Sequence, residues 1–163
     1  MADIVMTELD KDFKYEVASR PGASFFKRCF SCGTCTASCP VSEIDERFNP
    51  RLFIRQALLG EKKKLLSSEL LWYCTQCYTC FARCPQDVRF TDVMAVLREM
   101  AVEQGCVPKD MVKRIKQVDV MAQEIRHGLA EALWNSVKGK DPAEIEKSVK
   151  SNVSKALKEI QQS

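Results

Sequence analysis

Two runs of cysteine constrain this chain more than any other feature of it. Between Cys29 and Pro40 the sequence reads CFSCGTCTASCP, and between Cys74 and Pro85 it reads CTQCYTCFARCP. The spacing is the same in both, so Cys29, Cys32, Cys35 and Cys39 recur 45 positions later as Cys74, Cys77, Cys80 and Cys84. Eight of the nine cysteines fall into two copies of C-x2-C-x2-C-x3-C-P. Any fold must accommodate two short thiol-rich loops and give every thiol a partner.

Three partners are possible: another thiol, a zinc ion or an iron–sulfur cluster. The opening MADIVMTELDKDFKYEV is interrupted by acids and lacks a signal peptide's apolar stretch. No apolar run approaches the roughly 18 residues of a membrane span. A cytoplasmic location is expected, and a reducing compartment disfavours disulfides. A structural zinc site uses two C-x2-C pairs separated by a longer stretch, not four cysteines in one short run. The run seen here is the ligand pattern of two-cluster bacterial ferredoxins. Cysteines at i, i+3 and i+6 of a tight loop can wrap three irons of a cubane, but the same loop cannot close the fourth corner. In two-cluster ferredoxins the fourth cysteine of each run reaches the other cluster. By that rule one 4Fe-4S cluster takes Cys29, Cys32, Cys35 and Cys84, and the second takes Cys74, Cys77, Cys80 and Cys39. Two such centres in one small chain make a path for single electrons.

Charge must be read with the clusters in place. The chain is formally +3, but each oxidised cluster with four thiolates carries about −2, which takes the holo-protein to about −1. The apparent basicity therefore gives no reason to expect nucleic acid. The one dense basic run, Glu61 to Lys64, reads as a solvated loop. With 45% apolar and 29% charged residues the chain is an ordinary soluble globular protein rather than a disordered one.

Past each cysteine run the pattern turns helical. In FNPRLFIRQALLG, Asn49 is a cap, Pro50 suits the first helical position and Gly60 the exit. In FTDVMAVLREMAVEQG, Thr91 is the expected cap and Gly105 the expected end, with Val93, Val96, Leu97, Met100 and Ala101 on one apolar face. Phe48 aligns with Phe90 and Asn49 with Thr91, so a cysteine loop followed by a helix is used twice. Phe13 and Val17 suggest a short helix before the Arg20-Pro21-Gly22 break. Beyond Pro108, Met111, Ile115, Val118, Ala122, Ile125 and Leu129 form an apolar stripe on a helix of about six turns. A hinge at Gly139 follows, then a start signal of Asp141, Pro142 and Glu144. A last helix with Ile145, Val149, Ala156, Leu157 and Ile160 on one side would be marginal without a partner. No segment alternates with period two. The expected fold is all-α: a helical ferredoxin with a pseudo-twofold repeat of cysteine loop and helix over residues 1–107, and a helical docking extension over 108–163.

The remaining residues carry less. Gly33 reads equally as a turn glycine or as a point of close approach to a cluster sulfide. Lys27, Arg28, Arg83 and Arg89 flank the loops and are taken as surface charges. Trp72, Tyr73 and Phe81 are expected to pack as core beside the second loop. Cys106 is expected to be a buried structural thiol, and His127 to lie on a helix surface. There is no nucleophile with a base, no carboxylate pair in a recognisable setting and no phosphate loop, so no substrate site is expected on this chain.

A resemblance can be read from DFKYEV, CFSCGTCTASCPVSE, NPRLFIRQALLG, LLSSELLWYCTQCYTCFARCP and TDVMAVLR, which together are similar to the C-type polypeptide of heterodisulfide reductase. It covers about residues 12–98; after Pro108 no family is recognisable. The resemblance implies a two-cluster helical ferredoxin, an oxidoreductase component without a substrate site of its own. It would work in a cytoplasmic hetero-oligomer, which could itself dimerise. It would stand between an A-type subunit with flavin and iron–sulfur centres and a B-type subunit whose noncubane clusters cleave a disulfide. All eight paired cysteines map onto that family's ligands. The alternatives are a stand-alone ferredoxin-type shuttle and an electron-transfer subunit of another flavin-dependent oxidoreductase. The chain lacks the adjacent cysteines of B-type and glycolate-oxidase-type subunits and the C-x4-C-x2-C run of succinate dehydrogenase iron–sulfur proteins. A cluster-based sensor on nucleic acid is disfavoured for want of a basic helix.

Overall fold

A computed structural model describes residues 9–137 together with Ala143, Glu146, Lys147, Lys150, Ser151, Val153, Ser154 and Lys158. The expected hinge at Gly139, the start signal of Asp141, Pro142 and Glu144, and the side formed by Ile145, Val149, Ala156, Leu157 and Ile160 lie outside the described residues. The fold is all-α: among the described residues there is no strand. The chain divides into two compact units, residues 1–111 and 112–163.

The helices of the first unit are α1 (Phe13–Ala18), α2 (Thr34–Ala37), α3 (Pro40–Ile44), α4 (Pro50–Leu59), α5 (Lys62–Leu66), α6 (Thr79–Ala82) and α7 (Phe90–Glu103). Single 3-10 turns stand at Phe26–Arg28 and Glu69–Trp72. α4 begins and ends as its sequence requires. The Asn49 side chain accepts a hydrogen bond from the Leu52 amide at 3.1 Å, Pro50 occupies the first turn, and Gly60 closes the helix at φ +86°. A glycine is needed at that exit for a second reason: a Cβ there would lie 2.2 Å from the Asp10 carbonyl oxygen. The chain ahead of α1 thus lies directly on the end of α4, held by the Asp10 amide donating to the Gly60 carbonyl at 2.8 Å.

Lys62 reinforces that junction by pairing with Glu16 at 2.6 Å and Asp10 at 3.6 Å. This corrects the expectation of a solvated loop at Glu61 to Lys64. Glu61 is buried and bonded by Lys64 at 2.8 Å, and the following residues form α5, whose Leu65 and Leu66 enter the core. The partners of Lys62 come from far along the chain, so local composition could not reveal them.

α7 is the spine of the unit, packing on α1, α5, α6 and the Glu69–Trp72 turn. Its expected face of Val93, Val96, Leu97, Met100 and Ala101 is buried, together with Phe90, Met94 and Arg98. Gly105 follows the helix at φ +70°, with the Cys106 amide bonded back to the Ala101 carbonyl, as the exit signal predicts. The start differs. Arg89, left-handed at φ +56°, precedes the first helical residue, and Thr91 lies inside the helix with its hydroxyl turned to Cys80 rather than capping. α1 buries Phe13 and Val17 completely, and the break at Gly22 is left-handed at +86°.

In the second unit α8 (Met111–Val137) runs 27 residues, about 40 Å. The expected stripe is only partly covered: Val118 and Leu129 are 43% and 41% exposed, and Ala122 is exposed. The less accessible line runs through Met121, Ile125, Gly128, Ala132 and Asn135 at spacings of four and three. It includes a glycine and an asparagine, which a search for large apolar side chains passes over. Among the described residues no helix is long and apolar enough to cross a membrane.

Candidate metal centre

The two cysteine loops share an unusual backbone. Ser31 and Gly33 are left-handed at φ +60° and +86°, and their repeat counterparts Gln76 and Tyr78 are left-handed at +51° and +60°. For Ser31, Gln76 and Tyr78 this costs about 1–3 kcal/mol each, which the surroundings must offset. Alternation of left-handed with other conformations turns successive amides toward one side and builds anion-binding concavities, as at many iron–sulfur sites. Of the two readings of Gly33, its conformation supports the turn. Tyr78 holds the same conformation with a full side chain, so the loop shape is what the two copies share.

Each loop then makes one helical turn, α2 or α6, and these two turns pack on each other. That contact brings the thiols around two neighbouring hollows. One, with ≈ 430 Å³ of non-atom space including its open mouth, is lined by Cys29, Cys32, Cys35, Cys80 and Cys84. The other, of ≈ 280 Å³, is lined by Cys39, Cys74, Cys77 and Cys80. All eight run cysteines therefore face one hollow or the other, and Cys80 and Phe90 line both. The last cysteine of each run lies with the first three of the opposite run. Phe48, Phe53 and Phe90 form an aromatic row with successive ring centroids 5.3 and 6.2 Å apart, and of these Phe48 lines the smaller hollow and Phe90 both.

None of the nine cysteines is in a disulfide. Among the described residues no three Cys, His, Asp or Glu side chains converge closely enough to hold a single metal ion. Tetrahedral zinc would need sulfurs about 2.3 Å from one centre. Thiols spread around the rim of a hollow suit a larger, multi-atom group.

The environment of the thiols is graded. Cys39, Cys74 and Cys80 are buried, Cys29, Cys35 and Cys84 half-buried, and Cys32 and Cys77, the second cysteine of each run, exposed. Burial pushes Cys74 up to about 11, opposed first by a bond with the Gln76 backbone and then by the Arg98 cation, and burial also raises Cys35 and Cys80. Cys32 is lowered by its hydrogen bond with Thr34. Cys77 feels burial most, which raises it, but bonds with Thr79 and Thr75 outweigh that and leave it lowered. Cluster ligands must be thiolates, so loading the buried positions releases protons.

Several residues around the sulfurs were not singled out by sequence. Thr34 lies 3.4 Å from Cys32, and Thr79, its repeat counterpart, 3.5 Å from Cys77. Thr91 Oγ1 is 3.4 Å from Cys80 Sγ in a buried pair, and the Val88 amide donates to Cys84 Sγ at 3.4 Å. Arg98 is buried beneath the second loop, its Nη2 donating to the Cys74 carbonyl at 2.8 Å. The recurrence of threonine two residues after Cys32 and Cys77 was a readable signal. So was a single arginine within the apolar face of α7.

Expectations for the flanking residues divide. Lys27, Arg28 and Arg83 are exposed as expected, whereas Arg89 is half-buried and bonded to Asp87 at 3.2 Å. Trp72 is buried and Phe81 half-buried, but Tyr73 is 36% exposed. It follows the 3-10 turn, and its ring faces Arg47, whose guanidinium lies 6.0 Å from the ring centroid. Cys106 is exposed, not buried, because it follows the end of α7. His127 is exposed on α8.

Fold and loops together define an α-helical ferredoxin carrying two 4Fe-4S clusters. Residues 25–88 match the family described as a 4Fe-4S dicluster domain. Over a longer stretch the chain is a homologue of the C-type polypeptides of heterodisulfide reductase. It is 39% identical over 112 residues to the second iron–sulfur protein of type C from the CoB-CoM heterodisulfide reductase of Methanocaldococcus jannaschii, a match covering 64% of this chain and 59% of that protein. It is 40% identical over 109 residues to the C2 component of the H(2)/formate:CoB-CoM heterodisulfide,ferredoxin reductase of Methanococcus maripaludis, covering 63% and 58%. A third relative, the C component of the H(2):CoB-CoM heterodisulfide,ferredoxin reductase of Methanothermobacter thermautotrophicus, is 40% identical over 97 residues, covering 60% and 51%. The chain thus spans little more than half the length of the curated relatives it matches.

Proposed function

We propose that this chain is the electron-relay subunit of a cytoplasmic heterodisulfide reductase-like complex. It receives single electrons from an A-type subunit bearing flavin and passes them to a B-type subunit whose noncubane clusters cleave a disulfide. The observation that carries the reading is the pair of adjoining hollows that have Cys80 and Phe90 as a common wall. Thiols arranged in this way hold two cubanes close together, and such clusters exchange one electron at a time. The ligand sets follow the hollows: Cys29, Cys32, Cys35 and Cys84 for one cluster, and Cys74, Cys77, Cys80 and Cys39 for the other. Cys32 and Cys77, being exposed, give each cluster its nearest approach to a docked partner. Disulfide reduction is assigned to the B-type subunit, with this chain supplying the electrons. Residues 108–163 form the docking extension, a reading supported by the exposed Val118, Val120 and Leu129 on α8.

The test is anaerobic purification of the tagged chain from its own cells. A flavoprotein and a second iron–sulfur protein with disulfide reductase activity should accompany it. Recovery of the chain alone, freely exchanging electrons with several acceptors, would establish the stand-alone shuttle instead.

A further inference from the structure

Among the described residues, Glu61 and Arg98 are the buried charged side chains, at 9% and 5% accessible. Glu61 is bonded to Lys64 just past the end of α4 and lines neither hollow. Arg98 lies under one of the cysteine loops. Its Nε donates to the Leu71 carbonyl and its Nη2 to the Cys74 carbonyl, both at 2.8 Å, and the guanidinium lies 5.6 Å from the Trp72 ring. The repeat makes this placement asymmetric. The counterpart of Cys74 is Cys29, and the cations flanking that loop or lining its hollow, Lys27, Arg28 and Arg51, are exposed, while Arg89, next to Val88 in the same lining, is half-buried but paired with Asp87. Exposed charges act through water and are screened by salt, whereas a buried charge acts through a low dielectric and is screened much less.

We propose that Arg98 sets the cluster held by Cys74, Cys77 and Cys80 as the higher-potential member of the pair. A fixed cation favours whichever redox state is more negative, and reduction adds one negative charge to a cluster. An electron lost by the cluster on the Cys29 side is gained by the cluster on the Cys74 side, with no bond broken and no proton moved. Arg98 makes that step downhill and gives the chain a direction. This rests on the proposed ligand assignment only in that Cys74, Cys77 and Cys80 serve one cluster, which holds whether or not the fourth ligands cross. Arg98 is a positioning residue, since it touches the Cys74 carbonyl and not the sulfur.

The experiment is a potentiometric titration of the full-length holo-protein, followed by electron paramagnetic resonance, with Cys77→Ser used to assign the Cys74-side wave. The wild type should show two separated one-electron waves, the Cys74-side wave the higher. Arg98→Met should lower that wave about tenfold in its reduction equilibrium constant, about 59 mV, and leave the other in place. Arg98→Lys, which keeps the charge, should recover most of the difference, and raising the salt concentration should not abolish it. Coincident wild-type waves, an equal fall of both waves, or Arg98→Lys behaving like Arg98→Met would overturn the proposal. If Arg98→Met does not load clusters, Arg98→Gln, which removes the charge but keeps a hydrogen-bond donor, takes its place in the same comparison. Failure of the crossed ligand assignment would show separately, as a Cys84→Ser effect on the Cys74-side wave.

Discussion

Replacing Thr91 by valine removes one hydroxyl and keeps the shape of the side chain. Thr91 is 1% accessible and its Oγ1 lies 3.4 Å from Cys80 Sγ. When Cys80 ligates iron it has no proton, so the hydroxyl is the donor and the bond is charge-assisted, worth about 1.5–3 kcal/mol. Valine leaves no unsatisfied polar atom behind at residue 91, and the helix propensities of Thr and Val are similar. The main effect therefore falls on the sulfur. Reduction makes the cluster and its thiolates more negative, and if the bond strengthens by roughly a third to a half, the reduced state loses about 0.5–1.5 kcal/mol more than the oxidised state. At about 59 mV per tenfold change this lowers the potential by about 20–60 mV. Potentiometric titration of the purified holo-protein measures it, with Thr91→Ser, which restores the hydroxyl, returning close to the wild-type value. A rise in potential, or a shift confined to the Cys29-side wave, would refute the reasoning.

Other outcomes follow from the same geometry. Gly60→Ala should lower the thermal unfolding midpoint, because a left-handed alanine costs about 1–2 kcal/mol and its Cβ would drive the Asp10 carbonyl away from 2.2 Å; an unchanged midpoint would mean that the segment before α1 is not seated there. Cys84→Ser should disturb the Cys29-side cluster in Mössbauer and resonance spectra, and damage confined to the Cys74 side would show that each run serves its own cluster. Removing residues 109–163 should leave both clusters spectroscopically intact while abolishing co-purification with the partner proteins, and normal assembly of the shortened chain would assign docking to another surface.

What could be read from the sequence depended on whether the deciding interaction was local. The α4 boundaries were readable because Asn49, Pro50 and Gly60 act on their own helix. The use of one cysteine loop twice was readable from identical spacing, but the left-handed backbone at Ser31, Gln76 and Tyr78 was not, since none of these residue types demands it. Thr91 does not cap because the left-handed Arg89 lets the helix begin at Phe90, which places Thr91 inside the first turn. Tyr73 and Cys106 were expected inside because they adjoin buried residues, but a neighbour in sequence need not face the same way. The pairing of Lys62 with Glu16 and the bond from Arg98 to Cys74 each join residues more than twenty positions apart. Nothing in the local pattern predicts such pairs, although an arginine on an otherwise apolar helix face indicates that an acceptor must be found for it.

An electron relay through this chain requires two cubane clusters on one polypeptide. Anaerobic preparation with counts of iron, acid-labile sulfide and zinc, combined with a reductive titration, tests this most directly. The prediction is about eight irons, about eight sulfides and two one-electron reductions per chain, with spin coupling between the two reduced centres. Zinc in place of iron, or a single four-iron centre taking up one electron, would contradict it.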